Sequence, residues 1–165
     1  MIVFDSSTLI LLAKVEILVR VIEETGAVIT DIVEKECTKK QELLDAKLIK
    51  RLIEEGKIKV QSFGVGKEEK KIRKDFNMGT GEASSLILAK KSGWILATDD
   101  KQAIKACRVL QMPFLTAIHF LIRLHEKGLL SGELTLAKVR LLEKVGRYNP
   151  EIIRDVLQKI REGRN

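Results

Sequence analysis

Short apolar runs that alternate with helical stretches constrain the fold of this chain more than any other feature. Residues 1–5 read Met-Ile-Val-Phe-Asp, a continuous apolar run that ends in an acid. A run that is apolar at every position is typical of a strand in a parallel sheet, where both faces are covered. Similar runs recur at 27–29, 94–97 and 113–115, and a loosely alternating run at 58–63 has the pattern of an edge strand. This order predicts an α/β fold with a mostly parallel sheet.

Stretches with a helical period or with capping residues lie between these runs. We expect helices over residues 6–24, 31–37, 41–55, 66–75, 82–91 and 101–110. The remainder of the chain has a helical pattern that is interrupted at 128–132 and 146–150, which indicates two or three further helices. All 165 residues are therefore expected to form one domain, 1–165, with a core over about 1–116 and a helical C-terminal extension over about 117–165.

Net charge and hydropathy indicate where in the cell the protein is expected and what kind of partner it is expected to bind. Lys and Arg number 30 and Asp and Glu 23, so the net charge of +7 attracts polyanions such as nucleic acid, although it also serves solubility. The longest apolar run, 9–13, is too short to span a membrane, and no secretory leader is apparent. Cys37 and Cys107 have no partner at zinc-site spacing. We expect a cytoplasmic protein without a membrane segment.

Carboxylates follow the predicted strands at four junctions, and they are the candidates for chemistry. They are Asp5, Glu34 or Glu36, Glu82, and the pair Asp99 and Asp100. Ligands of open α/β sheets gather beyond the carboxyl ends of the strands, so we expect these acids to lie close together. Converging carboxylates repel one another unless some are protonated or a hard cation such as Mg²⁺ or Mn²⁺ neutralises them. The alternative is that each acid only caps a helix, which stabilises the helix by about 0.3–1 kcal/mol.

Four segments give the sequence a resemblance to a known family. They are Asp-Ser-Ser-Thr-Leu-Ile at 5–10, Val-Glu-Lys-Glu at 33–36, Gly-Thr-Gly-Glu-Ala at 79–83 and Thr-Asp-Asp-Lys at 98–101. In this order they resemble a PIN domain, the metal-dependent nuclease fold that includes the toxins of the VapBC toxin–antitoxin systems. The resemblance covers about residues 1–120, and the third segment is most similar to the prokaryotic VapC-like subgroup. It implies a three-layer α/β/α sandwich and frequent dimerisation, here as a homodimer.

The resemblance also implies a role for each residue of the site. The catalytic and metal-ligating set is Asp5, Glu36, Glu82, Asp99 and Asp100, supported by the hydroxyls of Ser7 and Thr98. Asp99 and Asp100 share one position, and the sequence does not choose between them.

The choice between Glu34 and Glu36 has a physical argument. Two positions along a helix turn a side chain by about 200°, so only one of the two glutamates can face the site. Ile32 and Val33 are expected to face the core, and Glu36 lies three and four residues beyond them, at the edge of that face. We therefore prefer Glu36.

The function that the resemblance implies is hydrolysis of single-stranded RNA by a water that Mg²⁺ or Mn²⁺ activates. The chain would be a VapC-like toxin, with RNA as substrate and an antitoxin protein as partner. Two alternatives remain at this point: a PIN nuclease that processes ribosomal or transfer RNA without an antitoxin, and a catalytically silent PIN module that binds RNA or serves as a scaffold.

Overall fold

A computed structural model describes residues 1–163, and its strands form one parallel sheet. The strands are β1 (Ile2–Phe4), β2 (Ala27–Thr30), β3 (Ile58–Gln61), β4 (Ile95–Ala97) and β5 (Phe114–Leu115). Their order across the sheet is β3-β2-β1-β4-β5, and every neighbouring pair is parallel. The predicted α/β class with its mostly parallel sheet is confirmed, and β3 lies at an edge as its sequence pattern indicates.

Ten helices are described between and after the strands. They are α1 (Ser6–Lys14), α2 (Leu18–Thr25), α3 (Asp31–Thr38), α4 (Leu44–Glu54), α5 (Lys67–Phe76), α6 (Thr80–Ser92), α7 (Lys101–Val109), α8 (Ala117–Glu126), α9 (Gly132–Val145) and α10 (Pro150–Glu162). No helix within residues 1–163 is long and apolar enough to cross a membrane.

Two apolar clusters cover the two faces of the sheet and make the molecule three-layered. Ile2 and Phe4 of β1 belong to a cluster with helices α1 to α4 and α8 to α10. Val3, between them, points to the other face and packs in a second cluster with α5, α6 and α7. This alternation is the period of two that a strand imposes on its side chains. The α/β/α sandwich that the family resemblance implied is therefore observed.

The helix predicted over 6–24 is two helices, α1 and α2, and this is the main difference from the sequence expectation. Glu16 has a positive φ of 60° between them. Val15 and Ile17 on either side are both buried. Side chains two positions apart on a continuous helix point in nearly opposite directions, so one helix could not bury both. The break at Glu16 lets both side chains reach the core.

The C-terminal region folds as three helices, which pack on the face of the sheet to which Ile2 and Phe4 of β1 point. Phe120 of α8 stacks on Phe4 with 5.4 Å between ring centroids, and Val139 and Leu142 of α9 are fully buried in the same cluster. Many apolar residues of this region are thus buried by contacts within the chain itself.

The strand order places three junctions next to one another. β1 is central, and it pairs with β2 on one side and with β4 on the other. The carboxyl ends of these three strands lead into α1, α3 and the loop before α7. Phe4 pairs with Ala97, so Asp5 and Thr98 follow at the same level of the sheet. Parallel strands therefore bring the acids of distant segments to one edge.

Candidate active site

Asp5 is the innermost acid of the site and caps the N-terminus of α1. Its Oδ1 accepts hydrogen bonds from the Thr8 amide at 3.0 Å and from the Ser7 hydroxyl at 2.6 Å. Its Oδ2 accepts a hydrogen bond from the Thr98 hydroxyl. Asp5 is completely buried. Both predicted supporting residues, Ser7 and Thr98, contact this carboxylate.

Burial controls the charge state of Asp5. It raises the pKa of the carboxyl to about 7, against the three hydrogen bonds that stabilise the charged form, and the nearby charge of Asp99 raises it further. A carboxyl with this pKa is about half protonated at neutral pH. A cation close to Asp5 would stabilise the charged form and lower the pKa again.

Asp99 lies beside Asp5, but its side chain is turned towards the C-terminal helices. Its Oδ2 accepts hydrogen bonds from the Thr8 hydroxyl at 2.6 Å and from the Ala117 amide at 2.9 Å. Its Oδ1 accepts a hydrogen bond from the Tyr148 hydroxyl. Burial raises the pKa of Asp99 although these donors oppose the change. Both oxygens of Asp99 are therefore engaged within the protein.

Asp100 faces the other way and caps α7. Its Oδ1 accepts hydrogen bonds from the amides of Gln102 at 2.9 Å and Ala103 at 2.8 Å. Burial raises the pKa of Glu82, and the nearby charge of Asp100 contributes to raising it further. The two consecutive aspartates thus lie near different acids. Asp99 lies beside Asp5, and Asp100 lies near Glu82.

Glu36 reaches the site because residue 81 is a glycine. A Cβ placed on Gly81 would lie only 2.5 Å from Oε1 of Glu36 and 2.6 Å from its Cδ. The Ser6 hydroxyl donates a hydrogen bond to Oε2 of Glu36 at 3.0 Å. The carboxylate from α3 therefore lies directly against the first turn of α6. No hydrogen bond among the described residues joins the carboxylate of Glu34 to this site.

Glu82 is half-buried in the first turn of α6 and folds back over the start of its own helix. Its Oε2 would be 2.5 Å from a Cβ on Gly79, the residue that precedes the helix. Burial raises the pKa of Glu82, and the charges of Glu36 and Asp100 raise it further. We call Glu36, Glu82 and Asp100 the outer carboxylates, because they lie on the solvent side of the buried Asp5.

A comparison with family models decides what this arrangement belongs to. The model DUF3368, described as a PIN domain, matches residues 1–162. The chain belongs to the PIN domain family. PIN domains are typically nucleases that act on RNA or DNA, generally with divalent metals.

A solved structure shows the same fold for another protein. The crystal structure of PAE2754 from Pyrobaculum aerophilum aligns with this PIN domain with a TM-score of 0.54 and 18% sequence identity. The alignment covers 76% of this chain and 96% of that chain. A comparison with curated proteins finds no match.

The donor set of this PIN domain fits a hard divalent cation in its chemistry. All five acids offer oxygen, and the like charges of the outer carboxylates destabilise one another until a cation or a proton is added. Within residues 1–163, however, no three acidic, His or Cys side chains already converge as a metal cage. The oxygens of Asp5 and Asp99 are instead satisfied by hydroxyl and amide donors. The site is thus an acidic group whose side chains must turn to coordinate an ion.

Sequence reasoning missed three residues that this site uses. Ser6 and Thr8 donate to Glu36 and Asp99, and both lie in the capping segment that follows Asp5, where side-chain hydrogen bonds are common. Tyr148 lies 49 positions from Asp99 in a segment without any local motif. Only the packing of the C-terminal helices brings its hydroxyl to the site, so no sequence signal points to it.

Proposed function

We propose that this PIN domain is a Mg²⁺- or Mn²⁺-dependent endoribonuclease of the VapC-like subgroup that hydrolyses single-stranded RNA in the cytoplasm. One observation carries the proposal: the carboxylate of Glu36 lies against Gly81 in the first turn of α6, next to Glu82, whose pKa is raised by burial and then by the charges of Glu36 and Asp100. These three carboxylates come from separate elements and lie near one another at the edge of the sheet, on the solvent side of the buried Asp5, without yet converging as a metal cage within residues 1–163. Like charges in such proximity favour binding of a cation.

We assign two roles to the residues of the site: some bind the metal ion, and others position the loop and the carboxylates. Glu36, Glu82 and Asp100 would hold the ion together with Asp5, while Asp99 fixes the loop that follows β4. When bound, Mg²⁺ or Mn²⁺ neutralises phosphate charge and lowers the pKa of a water that attacks phosphorus. Ser7 and Thr98 orient the carboxylate of Asp5. Attack by water would leave 5′-phosphate and 3′-hydroxyl ends.

The charge of the chain supports a nucleic-acid substrate. The net charge is +7 although the site itself is acidic, so the basic residues lie elsewhere on the surface. Arg140, Arg154 and Arg161 line a cleft of about 480 Å³ between α9 and α10, which Glu162 also lines, and Arg140 forms an ion pair with Glu143. Guanidinium groups bind phosphate well, and the phosphate backbone supplies most of the affinity for nucleic acid. The preference for RNA over DNA rests on the resemblance to VapC-like proteins.

Partners and domain organisation complete the proposal. A VapC-like protein would bind an antitoxin protein and form a homodimer, and the exposed Leu129 and Leu134 of the C-terminal region offer apolar surface for such contacts. The whole chain, 1–165, would act as one domain, since α8 to α10 share the apolar cluster of the first 116 residues.

Cleavage of end-labelled RNA tests the proposal. The wild-type protein is expected to cleave single-stranded RNA with Mg²⁺ or Mn²⁺, and excess EDTA is expected to abolish cleavage. Asp5→Asn should fold and be inactive, whereas Asp75→Asn, which removes an exposed acid of α5, should cleave like wild type. Products with a 2′,3′-cyclic phosphate, or full activity in EDTA, would contradict metal-dependent hydrolysis. RNA binding without cleavage would identify a silent module instead.

A further inference from the structure

The C-terminal region contacts the acidic site through the Ala117 amide at the start of α8 and through the side chain of Tyr148. Tyr148 lies in the loop between α9 and α10 and is the only tyrosine of the sequence. Its hydroxyl donates a hydrogen bond to Oδ1 of Asp99 and accepts one from the Ile118 amide at 3.3 Å. The hydroxyl therefore connects the α9–α10 loop both to the loop after β4 and to the first turn of α8.

The backbone before Tyr148 allows this position of the ring. Gly146 ends α9, and a Cβ at this residue would lie 3.0 Å and 3.1 Å from two ring carbons of Tyr148. It would also lie 2.8 Å from the carbonyl oxygen of Leu142. Any other residue at 146 would crowd both the ring of Tyr148 and the last turn of α9. The glycine thus serves the placement of the tyrosine.

A continuous set of hydrogen bonds leads from Tyr148 to the buried Asp5. Asp99, which accepts from Tyr148, also accepts from the Thr8 hydroxyl at 2.6 Å. The amide of Asp99 donates to the Ser7 hydroxyl at 3.0 Å, and that hydroxyl donates to Asp5 at 2.6 Å. The Thr8 amide donates to the same oxygen of Asp5. Whatever fixes Asp99 therefore also fixes two of the three donors to Asp5, the Ser7 hydroxyl and the Thr8 amide.

We infer that Tyr148 is a positioning residue through which the C-terminal helices complete the acidic site. By holding Asp99 towards α8, it fixes Ser7 and Thr8 on Asp5 and keeps the carboxylate of Asp99 away from the outer carboxylates. Its effect on cleavage rests on the proposed function, whereas its effect on the geometry around Asp5 does not.

Hydrogen exchange of the metal-free protein tests the positioning role without any substrate. Tyr148→Phe removes the hydroxyl, and the amides of Thr8, Asp99 and Ala117 are expected to exchange about tenfold faster, since a hydrogen bond to a charged group is lost. Thr135→Val is the matched control because it removes a partly buried hydrogen bond from the Thr135 hydroxyl to the carbonyl of Ser131, the N-cap of α9, and this bond is not part of the network around Asp99. Unchanged exchange at the three amides in Tyr148→Phe would overturn the inference.

Kinetics and a double-mutant cycle give the second readout. Tyr148→Phe is expected to lower kcat about tenfold while KM for RNA stays within about twofold, and to have no further effect in an Asp99→Asn background. Gly146→Ala keeps the hydroxyl, but its Cβ crowds the ring of Tyr148 and the Leu142 carbonyl. It should therefore reproduce both effects, and it serves if Tyr148→Phe does not fold. Additive effects of the two substitutions, or wild-type kcat in Tyr148→Phe, would contradict the inference. An inactive wild-type protein would refute the nuclease proposal, and the exchange data would still decide the role of Tyr148.

Discussion

Asp5 combines complete burial with three hydrogen bonds, and burial has the larger effect on its protonation. Its pKa of about 7 in the folded protein lies above the value of 3.8 expected for an unperturbed aspartate. Between these values the folded chain keeps a proton that the unfolded chain releases. Stability therefore falls as pH rises through this window and is constant above it, as far as Asp5 is concerned.

The first prediction concerns this pH dependence in the metal-free protein. The free energy of unfolding of wild type should fall by about 2–4 kcal/mol relative to Asp5→Asn between pH of about 4 and about 7, because the amide does not titrate. Urea unfolding in EDTA at several pH values measures the difference. Parallel pH profiles of the two proteins would show that Asp5 is not the titrating group.

The second prediction uses the contact between Gly81 and Glu36. Gly81→Ala places a Cβ where the carboxylate of Glu36 lies, but that carboxylate is the end of an exposed, flexible side chain and can move aside. The free energy of unfolding should thus change by less than about 1 kcal/mol, whereas RNA cleavage should be lost. Gly64→Ala, which meets nothing within 4 Å, is the control and should leave both unchanged. An active Gly81→Ala variant would separate Glu36 from the site.

Sequence patterns predict part of this site and fail for a definable reason. Asp5, Glu82 and the Asp99–Asp100 pair directly follow strands or begin helices, so local patterns place them at the edge of the sheet. The difference between Asp99 and Asp100 is set by Tyr148 and by the Ala117 amide, which come from later parts of the chain. A choice that depends on such distant packing is not contained in a local motif.

At the level of elements, helix N-termini hold two of the acids in place. Asp5 caps α1 and Asp100 caps α7, each by accepting bonds from amides of the first turn. A cap restrains the carboxylate at the junction between strand and helix, where the acids gather. The capping role and the proposed metal-binding role therefore coexist in the same side chain.

The third prediction separates these two roles at Asp100. Asparagine caps a helix about as well as aspartate does, so Asp100→Asn should change the free energy of unfolding by less than about 0.5 kcal/mol. It removes one charge from the outer carboxylates, and cleavage should fall at least tenfold. Asp100→Ala should in addition lower stability by about 1 kcal/mol, because the cap is lost. Wild-type cleavage by Asp100→Asn would reduce Asp100 to a structural cap.

Strands with a continuous apolar run are predicted correctly from the sequence. The break between α1 and α2, which depends on which side chains are buried, is not predicted. The buried runs that became β1, β2 and β4 are recognisable from apolar continuity alone. The break at Glu16 arises because Val15 and Ile17 must both reach the core. Nothing in the residues around Glu16 opposes a continuous helix, so only the tertiary arrangement reveals the break.

For the whole molecule, the charge distribution leads to the fourth prediction. A net charge of +7, with arginines lining a cleft on α9 and α10, implies that backbone phosphates supply most of the affinity for RNA. The association constant K for RNA is measured with the inactive Asp5→Asn protein at several salt concentrations. We expect log K to fall steeply and linearly with the logarithm of the salt concentration. Arg154→Gln should reduce the magnitude of this slope by about one, which corresponds to the loss of one phosphate contact. A slope near zero would contradict recognition through the RNA backbone.

Binding of Mn²⁺ to the folded protein tests the central claim, that Asp5 and the outer carboxylates form one metal-dependent site. Thermal unfolding is followed at increasing MnCl₂ for wild type, Asp5→Asn, Gly81→Ala and the control Gly64→Ala. Wild type and Gly64→Ala should be stabilised progressively, by about 2.7 kcal/mol when Mn²⁺ reaches about one hundred times its Kd, and the two site variants much less. Equal stabilisation of all four proteins, or none in wild type, would contradict the claim.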